Sequence, residues 1–380
     1  MTRPIVIAAG GTGGHFFPAE ALATELHARG HTLVLMTDAR GGQRDTGVFA
    51  NAAQFVLPGA GVAGRGPIRA AKAGMALLRG AWQARGLLGE LDAAAVVGFG
   101  GYPSVPPLLG GWLQGPNRPA LVLHEGNAVL GKANALLARV ATAVATSFPT
   151  VRGLSARTPH TLTGMPVRPG VAALYGAAYV PPTEAIHLLI WGGSLGASVF
   201  SEVMPAALAA LPGGFRARLH VTQQVRESDI PKVRDAYAQA GIDATLSPFF
   251  TDVPQRLAQA HLVIGRAGGS SVAELTMAGR PSILVPLPIA ASDEQGGNAQ
   301  ALMDAGAAWM IRQPAFTPSA VSALLADLLG APARLAEAAA AAHALARPDA
   351  VRALADLVES SLPPAPVPVY ATAPAQAAPV

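Results

Sequence analysis

The sequence has no cysteine among its 380 residues, which excludes disulfides and thiolate metal sites. Charged residues make up only 13% of the chain, against about 25% in an average protein. No apolar run approaches the roughly 20 residues that span a bilayer, and the first apolar run is too short for a signal peptide. These absences are consistent with a cytoplasmic protein, and the length allows two domains.

The chain also lacks features that predict a metal or a nucleic acid. It contains no D-x-D pair that could hold a metal on a diphosphate, and no histidine and carboxylate cluster with ligand spacing. The formal net charge of +4 is too small to indicate nucleic-acid binding by itself. We therefore expect no metal, no other cofactor and no nucleic-acid partner.

Short apolar runs, small-residue loops and helical segments alternate along both halves of the chain, which indicates two doubly wound α/β domains. Ligands of such sheets bind at the carboxyl ends of the strands. The predicted strands are Pro4–Ala9, His31–Thr37, Ala94–Val97, Ala120–Leu123, Ile186–Ile190, Leu262–Ile264 and Ser282–Val285. The predicted divisions are an N-terminal domain over 1–163, a linker over 164–171, a C-terminal domain over 172–346, a helix over 347–361, and a disordered Pro/Ala-rich tail over 362–380.

Two glycine-rich loops follow predicted strands. The first, Gly10–His15, reads GGTGGH and lacks the G-x-G-x-x-G spacing of a dinucleotide site. The second, Gly268–Ser271, precedes a helix, where free backbone amides and the helix dipole favour a phosphate. Glu274, one turn later, is positioned to accept a hydrogen bond from a sugar hydroxyl. An ordinary capped turn with a surface glutamate is the alternative for this stretch.

The segment 61–89 carries five cations and no acidic residue. On a helix, a basic stripe would lie beside an apolar one, which is typical of a helix on an anionic membrane surface. The alternative is a core-facing helix with a solvated basic edge, and the glycines at 74, 80, 86 and 89 weaken the prediction of one continuous helix. The predicted membrane face consists of Arg65, Arg69, Lys72, Met75, Leu78, Arg79 and Trp82.

Seven motifs together carry a resemblance to one family. In order they are GGTGGHFFP, GFGGYPSVPP, HEGNAVLGKAN, GMPVR, GGSLGAS, GRAGGSSVAEL and DEQGGNA, between about Ile5 and Ala308. In this order they resemble the MurG family of glycosyltransferase family 28. The resemblance implies a GT-B fold, in which two Rossmann-like domains face each other across a cleft. It also implies a peripheral enzyme on the cytoplasmic face of the inner membrane, with cell-wall assembly proteins as possible partners.

The activity implied by the resemblance is inverting transfer of GlcNAc from UDP-GlcNAc to the C4 hydroxyl of undecaprenyl-diphospho-MurNAc-pentapeptide. Arg168 and Ser194 would then contact the diphosphate, Glu274 the ribose, and Gln295 the GlcNAc hydroxyls. The backbone of Phe250 would meet uracil. The residues expected to close over the donor sugar from the N-terminal side are Thr12, Gly13, Gly14 and Asn127. Amides of Gly268, Gly269, Ser270 and Ser271 would stabilise the departing UDP in place of a metal.

An acceptor hydroxyl needs a general base, and histidine suits neutral pH. His15 is the first candidate, and Glu125 is its rival. By the resemblance, Tyr102 and Asn134 would contact the acceptor, although Tyr102 could instead serve only in packing.

Three positions depart from the pattern of the family. Gly126 and Leu195 stand where glutamine is usual, and Glu294 stands where histidine is common. These departures could change donor affinity or sugar preference.

Other functions remain open from the sequence alone. A UDP-GlcNAc 2-epimerase or a glycolipid glucosyltransferase would use the same fold. A non-catalytic nucleotide-sugar-binding protein of cell-wall assembly would need no base. A nicotinamide-dependent dehydrogenase is disfavoured by the spacing of the first glycine loop.

Overall fold

The computed structural model describes residues 3–10, 13–42, 44–59, 67–193, 198–288 and 292–364, with the backbone alone at 13 and 67–70. Some predicted functional residues lie outside this description: Thr12, Arg65, Ser194, Leu195 and the side chain of Arg69. The predicted tail lies outside it from residue 365 onward.

The N-terminal domain is built on one parallel sheet of buried apolar strands. Among the described residues its strands are β1 (Ile5–Ala8), β2 (Leu33–Thr37), β3 (Ala53–Val56), β4 (Ala95–Gly98), β5 (Ala120–Glu125), β6 (Ala143–Thr146) and β7 (His160–Leu162). Their order across the sheet is β3-β2-β1-β4-β5-β6-β7. The helices are α1 (Gly13–Ala28), α2 (Pro67–Glu90), α3 (Val105–Trp112) and α4 (Lys132–Leu137).

The C-terminal domain repeats this plan. Its described strands are β8 (Ile186–Trp191), β9 (Leu219–Gln224), β10 (Asp243–Ser247), β11 (Leu262–Gly265), β12 (Ser282–Leu284) and β13 (Ala308–Met310), in the order β10-β9-β8-β11-β12-β13. The helices are α5 (Pro169–Ala172), α6 (Ser198–Ala209), α7 (Gly213–Arg216), α8 (Ile230–Gln239), α9 (Val253–Gln259), α10 (Gly269–Met277), α11 (Glu294–Asp304), α12 (Pro318–Leu329), α13 (Pro332–Ala344) and α14 (Ala350–Ser360). The prediction of two doubly wound parallel sheets is confirmed.

The strand order fixes where ligands can bind. In each sheet the direction of winding reverses beside the first strand, between β1 and β4 and between β8 and β11. Loops at such a switch point diverge and leave a crevice at the carboxyl ends of the strands. The first glycine loop follows β1, and the loop Gly268–Ser271 follows β11. Both motifs therefore lie at the crevice of their own sheet.

The last helix, α14, returns to the N-terminal domain. Its apolar residues Leu354 and Val358 are fully buried in the core that includes α1. Arg29 of α1 anchors it with ion pairs of 2.6 Å to Asp356 and 2.7 Å to Glu359. The chain thus passes between the domains twice. The sequence predicted this helix but not the domain on which it packs.

Helix α2 runs without interruption over its 24 residues, so its glycines, which weaken the prediction of one continuous helix, do not break it. Two glycines instead allow close packing. A Cβ atom on Gly80 would lie 2.2 Å from the carbonyl oxygen of Pro58. Likewise, a Cβ atom on Gly110 of α3 would lie 2.7 Å from the carbonyl oxygen of Ala81 in α2. Such contacts are possible only for glycine, and their packing offsets its low helix propensity.

Within the described ranges, no single helix has both the length and the apolar character needed to cross a membrane. Helices α12 and α13 reach that threshold only when taken together across a bend of 93°.

Candidate active site

The two glycine-rich loops face each other where the domains meet. A Cβ atom on Gly14 would lie 3.7 Å from Ser270 Oγ. A Cβ atom on Gly269 would lie 2.3 Å from the carbonyl oxygen of Gly126, so only glycine permits this approach of the two main chains. The structure therefore brings the predicted ligand residues Gly14 and Asn127 of the N-terminal domain to the same cleft as Gly269 and Ser270 of the C-terminal domain.

The start of α10 presents free backbone amides to this cleft. Gly268 precedes the helix with extended backbone angles, φ −64° and ψ 150°. The amides of Gly269, Ser270 and Ser271 occupy the first turn, where N–H groups have no partner within the helix. Together with the helix dipole, these amides favour a phosphate or another anion.

Glu274 and Arg168, predicted to bind different parts of the donor, form an ion pair. Glu274 Oε1 accepts a hydrogen bond from Arg168 Nε at 2.9 Å and lies 2.8 Å from Arg168 Nη2. Burial raises the pKa of Glu274, and the charge of Arg168 opposes that shift. The guanidinium also lies 5.2 Å from the ring centre of Phe17 in α1. Arg168, which precedes α5, therefore contacts residues of both domains at the edge of the cleft.

Gln295 and Phe250 line the same edge of the C-terminal sheet. Gln295 Oε1 accepts hydrogen bonds from the backbone amides of Ala267, at 3.3 Å, and Leu287, at 3.0 Å. It thereby fixes the loop that precedes α10. Phe250 follows β10, and the guanidinium of Arg256 lies 4.3 Å from its ring centre. Phe250 thus lies just beyond the carboxyl end of β10, while Gln295 reaches from α11 to the loops that follow β11 and β12.

His15 is half-buried and lies on the side of the cleft that the N-terminal domain forms, which we call the N-terminal wall. The C-terminal wall is the opposite side, formed by the C-terminal domain. A Cβ atom on Gly101 would lie 3.5 Å from its Nε2 atom. Burial lowers the pKa of His15, while a hydrogen bond to the Phe99 main chain and the charge of Glu294 raise it and the charge of Arg40 lowers it further. The net shift is downward, so the imidazole is neutral near pH 7 and can accept a proton.

Glu125 lies in a different environment from His15. Its side chain is 1% exposed and accepts four hydrogen bonds from described groups. These come from Asn127 N at 2.9 Å, Asn127 Nδ2 at 3.0 Å, Gly131 N at 3.0 Å and Asn134 Nδ2 at 2.8 Å. A carboxylate engaged in this way holds the loop that carries Asn127. The geometry therefore favours His15 over Glu125 as the base.

The two predicted acceptor-side residues are placed by buried polar contacts. Asn134 is 3% exposed, and its Oδ1 atom has no hydrogen-bond partner among the described residues. The Tyr102 hydroxyl donates to Asp38, and the Arg40 guanidinium lies 4.6 Å from the Tyr102 ring centre. Burial, followed by the hydrogen bond to Asp38, raises the pKa of Tyr102 to about 12. Tyr102 is therefore a hydrogen-bonded part of the wall rather than only a packing residue.

Comparison with known proteins identifies the family of this chain. The family model for the glycosyltransferase family 28 N-terminal domain matches residues 5–146, and that for the C-terminal domain matches residues 187–354. The chain is 63% identical to a Gluconobacter oxydans protein named UDP-N-acetylglucosamine--N-acetylmuramyl-(pentapeptide) pyrophosphoryl-undecaprenol N-acetylglucosamine transferase, over 95% of this chain and 100% of the relative. The crystal structure of Acinetobacter baumannii MurG matches with a TM-score of 0.75 at 30% identity, over 94% of this chain and 99% of that one. The chain belongs to the MurG family.

The fold alone does not separate this family from others. A putative UDP-N-acetylglucosamine 2-epimerase from Listeria monocytogenes has a TM-score of 0.62 at 13% identity, over 93% of this chain and 94% of that one. The much higher sequence identity to the MurG-family relative is what distinguishes the two. The predicted GT-B fold is confirmed.

Two of the departures from the MurG-family pattern lie in the described cleft. A Cβ atom on Gly126 would lie 2.4 Å from Met165 Cε, so the end of the Met165 side chain occupies the space next to Gly126. Glu294 begins α11 and is half-buried. The third departure, Leu195, lies outside the described residues.

Sequence reasoning missed two residues that build this MurG-family cleft. Asn298 is fully buried, and it accepts from Ala128 N at 2.7 Å and donates to Asn127 Oδ1 and the Ala267 carbonyl at 2.9 Å each. It joins the domains. Asp38 is the acceptor of the Tyr102 hydroxyl. The sequence could have indicated both residues, because Asn298 is in the motif DEQGGNA and Asp38 directly follows a predicted strand.

Helix α2 presents the predicted membrane-facing residues to solvent. Met75 is 62% exposed, and Leu78 and Trp82 are each 68% exposed. Lys72 and Arg79 beside them are also exposed. The residues of α2 that face the domain are Ala73, Ala81, Ala84 and Leu88, all buried. The alternative of a core-facing apolar stripe is therefore excluded for Met75, Leu78 and Trp82.

Among the described residues, no group of three or more histidine, aspartate or glutamate side chains could hold a metal ion.

Proposed function

We propose that this chain transfers GlcNAc from UDP-GlcNAc to the C4 hydroxyl of undecaprenyl-diphospho-MurNAc-pentapeptide, with inversion at the anomeric carbon. The observation that carries the proposal is the juxtaposition of His15, on the N-terminal wall, with the amide-lined start of α10 on the C-terminal wall. The identity to MurG-family relatives supports the same donor and acceptor.

The reaction divides between the two walls. The acceptor hydroxyl is held on the N-terminal side, where neutral His15 takes its proton as the oxygen attacks the anomeric carbon. The bond from that carbon to the β-phosphate oxygen breaks, and UDP leaves with the electron pair. The amides of Gly269 to Ser271 stabilise the negative charge that develops on UDP. The proton on His15 then passes to solvent.

The activity is tested by measuring UDP release from UDP-GlcNAc in EDTA, with and without the lipid-linked MurNAc-pentapeptide. We expect release only when the acceptor is present. Release without acceptor would contradict the proposal and indicate an epimerase or hydrolase. Binding without release under either condition would indicate a non-catalytic sugar-nucleotide binder.

Glu274 provides a test of donor recognition. In Glu274→Ala we expect the KM for UDP-GlcNAc to rise about tenfold or more, because a hydrogen bond to a charged group contributes about 1.5–3 kcal/mol. The measurement is steady-state kinetics with acceptor saturating. Unchanged donor KM would contradict the ribose role.

Arg168→Ala is the control for the ion pair. If Glu274 acts only by holding Arg168, both single variants and the double variant will have the same donor KM. If Glu274 contacts the ribose, the two single substitutions should instead change the donor KM by different amounts. The double variant should then bind UDP-GlcNAc more weakly than either single variant.

We also propose that α2 is the surface that binds the cytoplasmic face of the inner membrane. Three exposed apolar side chains beside two cations match an anionic bilayer surface. The apolar side chains would enter the interface, while Lys72 and Arg79 contact lipid phosphates. The expected acceptor-side residues, Tyr102 and Asn134, belong to the same domain, which supports access of a lipid-linked substrate from this membrane.

Charge reversal tests this membrane face. In Lys72→Glu/Arg79→Glu we expect binding to anionic vesicles to weaken roughly 30-fold or more, because each cation near the surface contributes about 1 kcal/mol. Activity on a soluble acceptor should not change. Lys232→Glu/Arg234→Glu on α8 makes the same change of net charge at two exposed positions of the other domain. Equal loss of binding in both variants would contradict a specific membrane face.

A further inference from the structure

Helix α11 meets the N-terminal domain through two neighbouring residues, Gly297 and Asn298. A Cβ atom on Gly297 would lie 2.5 Å from Val129 Cγ2, so the helix packs directly on a side chain of the other domain. Asn298 is fully buried beside this contact. Since a buried amide needs hydrogen-bond partners within the protein, the groups around Asn298 decide how the two domains can meet here.

The side-chain amide of Asn298 is engaged on both sides of this contact. Its oxygen accepts from Ala128 N at 2.7 Å, and its nitrogen donates to Asn127 Oδ1 at 2.9 Å, so two hydrogen bonds cross between the domains. The nitrogen also donates to the carbonyl oxygen of Ala267, in its own domain, at 2.9 Å. Because the Ala128 amide and the Ala267 carbonyl are main-chain groups, only one orientation of the Asn298 amide complements both.

The groups that Asn298 joins belong to the two walls of the cleft. Ala267 comes directly before Gly268, which precedes the amides at the start of α10. On the N-terminal wall, Asn127 Nδ2 donates to the buried carboxylate of Glu125 at 3.0 Å. A continuous set of hydrogen bonds therefore runs from Glu125 through Asn127 and Asn298 to Ala267, and Asn298 is the member that bonds to both walls.

We propose that Asn298 is a positioning residue that holds the two walls at the separation needed for transfer. His15 is on one wall and the amides that stabilise UDP are on the other, so the reaction needs both walls in place at once. This consequence for turnover rests on the proposed function. A buried amide with complementary partners favours one geometry, because displacing the walls leaves polar groups unpaired.

Asn298→Ala tests the effect on turnover. We expect kcat to fall about tenfold or more, because loss of these bonds lowers the fraction of molecules that have both walls in place. The affinity for UDP alone, measured by calorimetry, should stay within about twofold of the parent value, since its expected contacts are on the C-terminal wall. Gln300→Ala is the matched control, because the Gln300 side chain bonds to Asp304 of the same helix; it should change neither quantity.

Two kinetic outcomes would overturn the inference. An unchanged kcat in Asn298→Ala would mean that transfer does not need this link. A weaker affinity for UDP would mean that Asn298 acts within its own domain, by shaping the loop before α10, rather than between the walls.

A second measurement does not depend on turnover. The chain has no cysteine, so Glu90→Cys on α2 and Asp235→Cys on α8, at two exposed positions, place one spin label on each domain of the full chain. Double electron–electron resonance should give a longer or broader distance distribution in Asn298→Ala than in the parent background. Gly297→Ala should do the same by inserting a Cβ atom against Val129, and alanine preserves the helix.

A parent-like distance distribution in folded Asn298→Ala would overturn the inference. If circular dichroism shows that Asn298→Ala does not fold, the distribution in Gly297→Ala decides in the same way. If the parent enzyme showed no acceptor-dependent release of UDP, the proposed function would fall, and the distances alone would decide whether Asn298 holds the walls.

Discussion

With His15 replaced by glutamine, we expect kcat to fall by about 10²- to 10⁴-fold, while the KM for UDP-GlcNAc stays within about twofold of the parent value. Glutamine can keep a hydrogen bond to the wall but cannot take a proton from the acceptor hydroxyl. Most of the expected donor contacts, among them Glu274 and Gln295, are on the opposite domain, so ground-state binding of UDP-GlcNAc should persist. The measurement is acceptor-dependent UDP release together with donor titration.

The pH profile gives an independent check of His15. The neutral imidazole is the active form, and burial holds the pKa of His15 below 6.5. Activity should therefore stay constant from neutral pH down to below 6.5 and then fall as His15 is protonated. In His15→Gln the remaining activity should lose this acidic limb. Retention of the same limb in the variant would assign the titration to another group.

Much of the fold follows from local patterns in the sequence. Buried strands such as Ile5–Ala8 and Leu262–Gly265 are continuous apolar runs, and each ends at a loop of small residues. Since parallel strands present their carboxyl ends at one edge, the loops after β1 and β11 could be predicted to carry ligands. Local chemistry thus located both walls of the cleft.

The contacts between the walls could not be predicted in the same way. Arg168 and Glu274 are 106 residues apart, and Asn127 and Asn298 are 171 residues apart. No periodicity in one sequence specifies such pairs, because they depend on how two separate domains meet. The same limit applies to α14, which the sequence predicted as a helix over 347–361 without identifying its packing partner, α1. The glycines of α2 illustrate a different limit. Glycine has a low helix propensity, but the tertiary packing against Gly80 keeps the helix continuous.

Glu125 has the largest expected effect on stability. In Glu125→Leu the four donors of Asn127, Gly131 and Asn134 lose their acceptor, and each buried unsatisfied donor costs about 1–3 kcal/mol. Water reaches part of the loop, so we expect the free energy of unfolding to fall by about 3–5 kcal/mol. Urea denaturation of the full chain measures this change. A loss below about 1 kcal/mol would mean that the loop finds other acceptors.

Glu125→Gln distinguishes this scaffold role from catalysis. The amide keeps one oxygen for the loop donors, so the loss of stability should be smaller than in Glu125→Leu. If His15 is the base, activity in Glu125→Gln should follow the folded fraction and keep the acidic limb of the pH profile. If Glu125 were the base, kcat would collapse in a protein that remains folded, and His15→Gln would retain most of its activity. The two glutamine variants therefore assign the proton acceptor, because the two candidates predict opposite outcomes.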